Sequence, residues 1–146
     1  MIKKILLTLL LLASTGISQD ERWKILTFSD EYLYFYDSLT ANRTGQIIKA
    51  WIKLIPWDKD SVIKEKKNKA SFLDSDKYDQ FSHTLMFFAF NCSLKAYKLI
   101  KYLDYNEDGK AIKSYNYNEK EIEWEDVIPN TLGEELLIKL CQKIKK

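Results

Sequence analysis

The sequence predicts an α+β domain, an antiparallel sheet of about six strands with a C-terminal helix tied to it by a disulfide. Three observations carry this. Apolar residues alternate at period two along several short stretches separated by turn residues, the pattern of strands. Only Leu132 to Ile144 shows a convincing helical period, with Leu132, Leu136, Leu137, Leu140, Cys141 and Ile144 on one side. The chain has two cysteines, Cys92 after the most apolar strand and Cys141 on the apolar side of that helix.

At 146 residues the chain has room for one domain with its own core, and it opens on MIKKILLTLLLLASTGISQD. Lys3 and Lys4 precede an apolar run from Ile5 to Ala13, and small and polar residues follow. That is the pattern of a secretory signal peptide over residues 1–18, with the mature domain at 19–146; the run is about half of the ~20 residues of a membrane span. Thr15 stands where a lipoprotein signal would need its cysteine, so no lipid anchor is expected. Export to an oxidising compartment makes one disulfide the simplest state of an even cysteine count. Loss of Lys3 and Lys4 with the leader lowers the formal charge from +2 to zero. A balanced domain gives no electrostatic case for nucleic acid.

Trp23–Phe28 reads as the first strand and Tyr32–Tyr36 as the second, with Asp37-Ser38 as its exit. Asn42-Arg43-Thr44-Gly45 reads as a turn before a third strand, Gln46–Ile55, which Pro56 ends because it cannot donate to a ladder. Residues 57–80 are charged and without a clear period, and are expected to form a long mobile connection with at most a short helix near Ala70–Leu73. Its Ser61–Ala70 part is expected to be removable without loss of the fold.

Phe81–Tyr105 holds two strands joined at Asn91-Cys92-Ser93. Period two places Phe81, Leu85, Phe87 and Ala89 on one face and Met86, Phe88 and Phe90 on the other, a central strand covered on both sides. Asp108-Gly109 is a hairpin turn leading into a sixth strand, Lys110–Tyr117, and Ile122–Ile128 is a shorter extended piece. Thr131 and Glu134 have capping-box spacing at the start of the helix. Several strands are apolar on both faces with one short helix as cover, which predicts a homodimer or a sheet curled on itself.

No catalytic set, cofactor motif or metal site is expected. His83 is the single histidine and sits between strand residues. Asp104-x-Asn106-x-Asp108-Gly109 matches the opening of a calcium loop, but Tyr115 occupies the position of the bidentate glutamate, so a plain turn is the reading. For binding, the candidates are Trp57, Lys64, Lys66 and Lys67, aromatic and basic residues of the charged connection.

Six pieces occur in an order that resembles the surface-adhesin protein E family of secreted bacterial proteins. They are YFYDS at Tyr34–Ser38, KAWIKL at Lys49–Leu54, FNC at Phe90–Cys92, YLDYNEDGKAIKSY at Tyr102–Tyr115, W-x-x-V-I-P at Trp124–Pro129, and the helix carrying Cys141. The resemblance implies a small α+β domain with a disulfide-held C-terminal helix, and an adhesin that binds host matrix or serum proteins; the lack of a catalytic set makes it non-enzymatic, and the lack of a lipobox cysteine leaves the periplasm, the cell surface and the medium all open as its location. The alternative function is a periplasmic carrier or sensor of a flat apolar ligand such as haem, using the aromatic strands.

Overall fold

A computed structural model describes residues 19–145. The expected signal peptide at 1–18 lies outside the described residues. A single helical turn, α1 (Gln19–Arg22), leads into β1 (Trp23–Phe28) and β2 (Tyr32–Asp37); β3 (Asn42–Thr44) and β4 (Ile47–Pro56) follow. Next come α2 (Lys59–Lys69), a 3-10 helix at Ser75–Gln80, β5 (Phe81–Asn91), β6 (Ala96–Asn106), β7 (Ala111–Asn116), β8 (Glu125–Asp126) and α3 (Leu132–Lys143).

All the strands join one antiparallel sheet in the order β1-β2-β4-β5-β6-β7, with β3 beside β4 and β8 beside β6. Six strand positions are therefore filled by eight strands. β3 lies along Ile47–Lys49 where β2 no longer reaches, and β8 lies along Ala96–Tyr97 where β7 no longer reaches. Asn42–Thr44, expected as a turn, is thus a short strand, and the turn is confined to Gly45 and Gln46, with Gly45 at φ 60°. Its outer strands β1 and β7 do not pair with each other, so the sheet is open and not curled into a barrel.

One face of the sheet carries the core. Ile48, Ala50, Ile52 and Leu54 of β4 are buried beside Tyr34 and Phe90, and Leu136, Leu137 and Leu140 of α3 close over them. Each buried leucine contributes roughly 1.5–3 kcal/mol by area. Cys92 and Cys141 form the expected disulfide, with their Cα atoms 6.0 Å apart. The C-terminal end of α3 is held a second way. Arg43 on β3 donates from Nη1 to the carbonyls of Cys141 and Ile144 at 3.1 Å each, satisfying acceptors that a helix end leaves unpaired. At the N-terminal end the capping box takes a different form: Glu134 accepts from the Asn130 backbone N–H at 2.8 Å, while the Thr131 hydroxyl donates to the Ile128 carbonyl.

A bulge in β5 corrects the expected alternation. Met86, Phe88 and Phe90 face the core as their period predicts, opposite Ile52, Ala50 and Ile48. Phe81 does not share a face with Leu85 and Phe87, because the register slips between Phe81 and His83. The extra residue turns the Phe81 ring to the covered face, where it is fully buried with Val62 and Tyr78.

The connection at 57–80 is the larger correction, since it holds an eleven-residue helix and a 3-10 helix. Asp58 caps α2 by accepting from the Ser61 N–H, and Lys66, Lys67 and Lys69 complement the dipole in its last turn. Val62 is buried and Lys66 reaches into the sheet, so Ser61–Ala70 is part of the fold and not a removable loop.

Candidate functional site

Under α2 the sheet carries a buried carboxylate. Asp104 lies on β6 opposite Thr84 of β5, on the covered face, and its side chain is 1% exposed. Burying a charge in this way requires compensation from every side. The Lys66 ammonium lies 3.0 Å from Oδ1, the Tyr78 hydroxyl donates at 2.8 Å, Thr84 donates at 2.6 Å and Tyr102 at 2.9 Å. The Lys66 ammonium also sits 4.8 Å from the centroid of the Phe81 ring. Burial, together with the Asp104 charge and its hydrogen bonds, pushes the Tyr78 and Tyr102 phenols far above their ordinary range. Both hydroxyls therefore stay protonated as donors. Asp104, read from the sequence as the first residue of a calcium-like loop, is turned away into this cluster, and the loop itself is a hairpin turn in which Asn106 accepts from the Lys110 N–H.

Beside the cluster opens a cleft of about 340 Å³ between α2 and β7. Its walls include Tyr32, Tyr115 and Tyr117, with Glu65, Lys69 and Lys113 at the rim. Tyr115 and Tyr117 lie nearly parallel, 21° apart with centroids at 6.2 Å, and each is 44% exposed. Lys113 lies on the same face of β7, 4.9 Å from the Tyr115 ring.

At the far end of α2 the chain makes a hydrogen-bonded turn. Ser71 donates to the Asp74 carboxylate at 2.8 Å, the Asp74 N–H returns to the Ser71 carbonyl at 3.0 Å, and Lys77 pairs with Asp74 at 2.6 Å. Held on this turn, Phe72 and Leu73 project outward at 93% and 84% exposure. Two adjacent apolar side chains bared this completely on an ordered turn have no role in the core.

The four residues singled out from the sequence do not form one patch. Trp57 is exposed before α2, with its indole N–H donating to the Ser29 carbonyl. Lys64 is exposed on the helix and Lys67 pairs with Asp79, whereas Lys66 points inward to Asp104. The sequence reading missed Phe72 and Leu73, whose signal was an apolar pair in a charged stretch with no periodic mates. It also missed the pairing of Lys66 with Asp104, signalled by an acid inside a strand. His83 stacks on Tyr105 at 5.3 Å, and burial and the nearby Lys53 charge hold its pKa below the usual imidazole range.

The opposite face of the sheet, with Phe35, Trp51, Lys53, Leu85, Phe87 and Leu103, carries no helix among the described residues. Trp51 packs on Phe87 at 5.0 Å, and Lys49 pairs with Glu119 at one corner. No helix among the described residues is long and apolar enough to cross a membrane.

The pieces of sequence that carry the resemblance have structural work. Asp37 of YFYDS is fully buried and accepts from Arg22, from Thr40 and from the Leu39 N–H. Asn91 of FNC caps the turn after β5 by accepting from the Ser93 and Leu94 N–H groups. Trp124 lies beneath the Lys98 ammonium, and Val127 closes onto the core. No curated protein and no solved structure matches the chain. The profile of one family, described as surface-adhesin protein E, matches residues 23–142, from β1 into the last turn of α3. Covering most of the chain and both cysteines, that match places this protein in the surface-adhesin protein E family.

Proposed function

We propose that this is an exported, non-enzymatic binding protein that attaches to host matrix or serum proteins through the end of its α2 segment. The observation that carries the reading is the Phe72–Leu73 pair. An apolar anchor surrounded by charged side chains, here Lys69, Asp74, Asp76 and Lys77, has the composition of an interface hot spot with its polar rim. Trp57 and Lys64 extend the contact along the helix, which is about 16 Å long. Lys67 contributes from the rim, and Lys66 acts indirectly by fixing the helix to the sheet. Family membership supports adhesion.

The protein works in the periplasm, at the cell surface or in the medium, and fractionation of the native host separates these. A screen of the oxidised domain against immobilised matrix and serum proteins tests the function. Saturable binding to at least one of them, with no turnover on a hydrolase substrate panel, is the expected result. Turnover without protein binding would overturn it. The carrier reading draws less support, because the charged side chains of Glu65, Lys69 and Lys113 line the cleft, and a flat apolar ligand would cover them without replacing their bonds to water. A haem titration followed by absorbance checks this, with no change expected.

We also infer a homodimer formed through the sheet face that lacks a helix. Its Phe35, Trp51, Phe87 and Leu103 make an apolar surface of the kind that association buries.

A further inference from the structure

We propose that the cleft between α2 and β7 is a binding site for an acidic pyranose, a sugar ring bearing one carboxylate. The proposal is independent of the protein-binding surface above. The charges come first. Three lysines and two carboxylates line the cleft, and two of the lysines are matched, Lys66 by Asp104 and Lys69 by Glu65. Lys113 makes no ion pair among the described residues, which leaves one cation at the mouth. A single ammonium acts as a point charge suited to one carboxylate.

Beside it, Tyr115 and Tyr117 present nearly parallel, half-exposed aromatic rings. The C–H face of a pyranose stacks on such a surface, as apolar groups do on aromatic rings generally. The rest of the cleft is polar. The Tyr32 hydroxyl and the Glu65 carboxylate line it, and its floor is the Asp104 cluster. A polyhydroxylated ligand can hydrogen-bond to Tyr32 and Glu65, whereas a flat apolar one would strip their water. A volume of about 340 Å³ lies at the low end of small-molecule sites, about 300–1,000 Å³, and suits one or two sugar rings. The register explains the placement. Lys113 and Tyr115 pair with Asp104 and Tyr102 of β6, so strand alternation puts them on the face that α2 only partly covers.

The test is an NMR titration of the isotope-labelled, oxidised domain with glucuronate and with N-acetylneuraminate. Three controls separate the parts of the proposal: the neutral methyl ester of glucuronate, acetate, and 2-naphthoate as a flat apolar anion. Saturable shifts at Lys113, Tyr115 and Tyr117 with either sugar acid, and at least about tenfold weaker binding of the ester, are expected, corresponding to the loss of one charge-assisted contact. Lys113→Met should weaken the sugar acid about tenfold and leave the ester unchanged, while Tyr117→Ala should weaken both. Both positions are on or beside an edge strand, and the unperturbed amide spectrum of each variant checks that the fold is retained. The proposal is overturned if neither sugar acid shifts these residues, if the ester binds as well as the acid, if Lys113→Met has no effect, or if acetate or naphthoate binds at least as tightly as the sugar.

Discussion

Asp104 and Asp37 are two carboxylates buried in one small domain, and both have their oxygens satisfied by protein donors. Each is surrounded by donors supplied from separate elements, so each pins those elements together. At Asp104 the partners come from α2, the 3-10 helix and two strands. Removing the acid leaves the Lys66 ammonium buried without its counter-charge. Asp104→Ala should therefore cost about 3–5 kcal/mol in urea unfolding. Lys66→Met keeps a side chain of similar length under the helix and leaves three hydroxyl donors on the acid, so its loss should be smaller. At Asp37, burial raises the pKa, and the bonds from Arg22, Thr40 and the Leu39 N–H outweigh it, so the carboxyl titrates below its ordinary value. A depressed folded-state pKa gives stability that is present above the unfolded pKa of about 3.9 and lost as pH falls through the lower folded value. The stability gap between wild type and Asp37→Asn should accordingly be constant near neutrality and narrow below about pH 4, as read by thermal melts across pH.

Among the elements, α3 and α2 were not equally legible, for a physical reason. The six strand positions and α3 could be read from periodicity because both kinds of element bury apolar side chains at their own spacing. α2 hides its inward face. Val62, Lys66 and Ala70 recur at helical spacing, but the middle position is a lysine whose partner, Asp104, is far away in sequence. A buried ion pair has no signature in hydropathy, and the segment reads as solvated. The acid inside β6 was the visible half of the pair. β3 was missed because three residues are too few to show alternation, and the Phe81 ring changed face through a bulge that no local pattern announces. The cleft inherited both failures: it needs α2 as a wall, and without a helix at 59–69 its tyrosines looked like ordinary strand aromatics. Two outcomes follow at this scale. Arg43→Ala should cost about 1–2 kcal/mol by releasing the last carbonyls of α3, and deleting Ser61–Ala70 should abolish the cooperative unfolding transition. Reducing the disulfide, whose partners are 49 residues apart, should lower stability by roughly 4 kcal/mol through the freed unfolded chain.

For the whole molecule, α2 and α3 lie on one face of the sheet, and among the described residues no helix covers the other. The core side is closed by α3 at one end and by α2 at the other, with the aromatic cleft beside α2. On the other side the apolar strip through Trp51 and Phe87 predicts a dimer in sedimentation equilibrium. Trp51→Glu should convert it to a monomer, and a wild-type monomer at every concentration would remove the dimer from this account. The proposed binding to host protein uses a different place, the turn beyond α2. Its two exposed side chains can be changed without touching the core, which makes them the most direct handle on function. The decisive measurement is the affinity of the oxidised domain and of its Phe72→Ser, Leu73→Ser double variant for a matrix or serum protein bound in the proposed screen. A loss of at least about 2 kcal/mol, roughly thirtyfold in Kd, with an unchanged circular dichroism spectrum is the predicted result. Equal affinity for the two proteins, both folded, would contradict the claim that this turn is the adhesive surface.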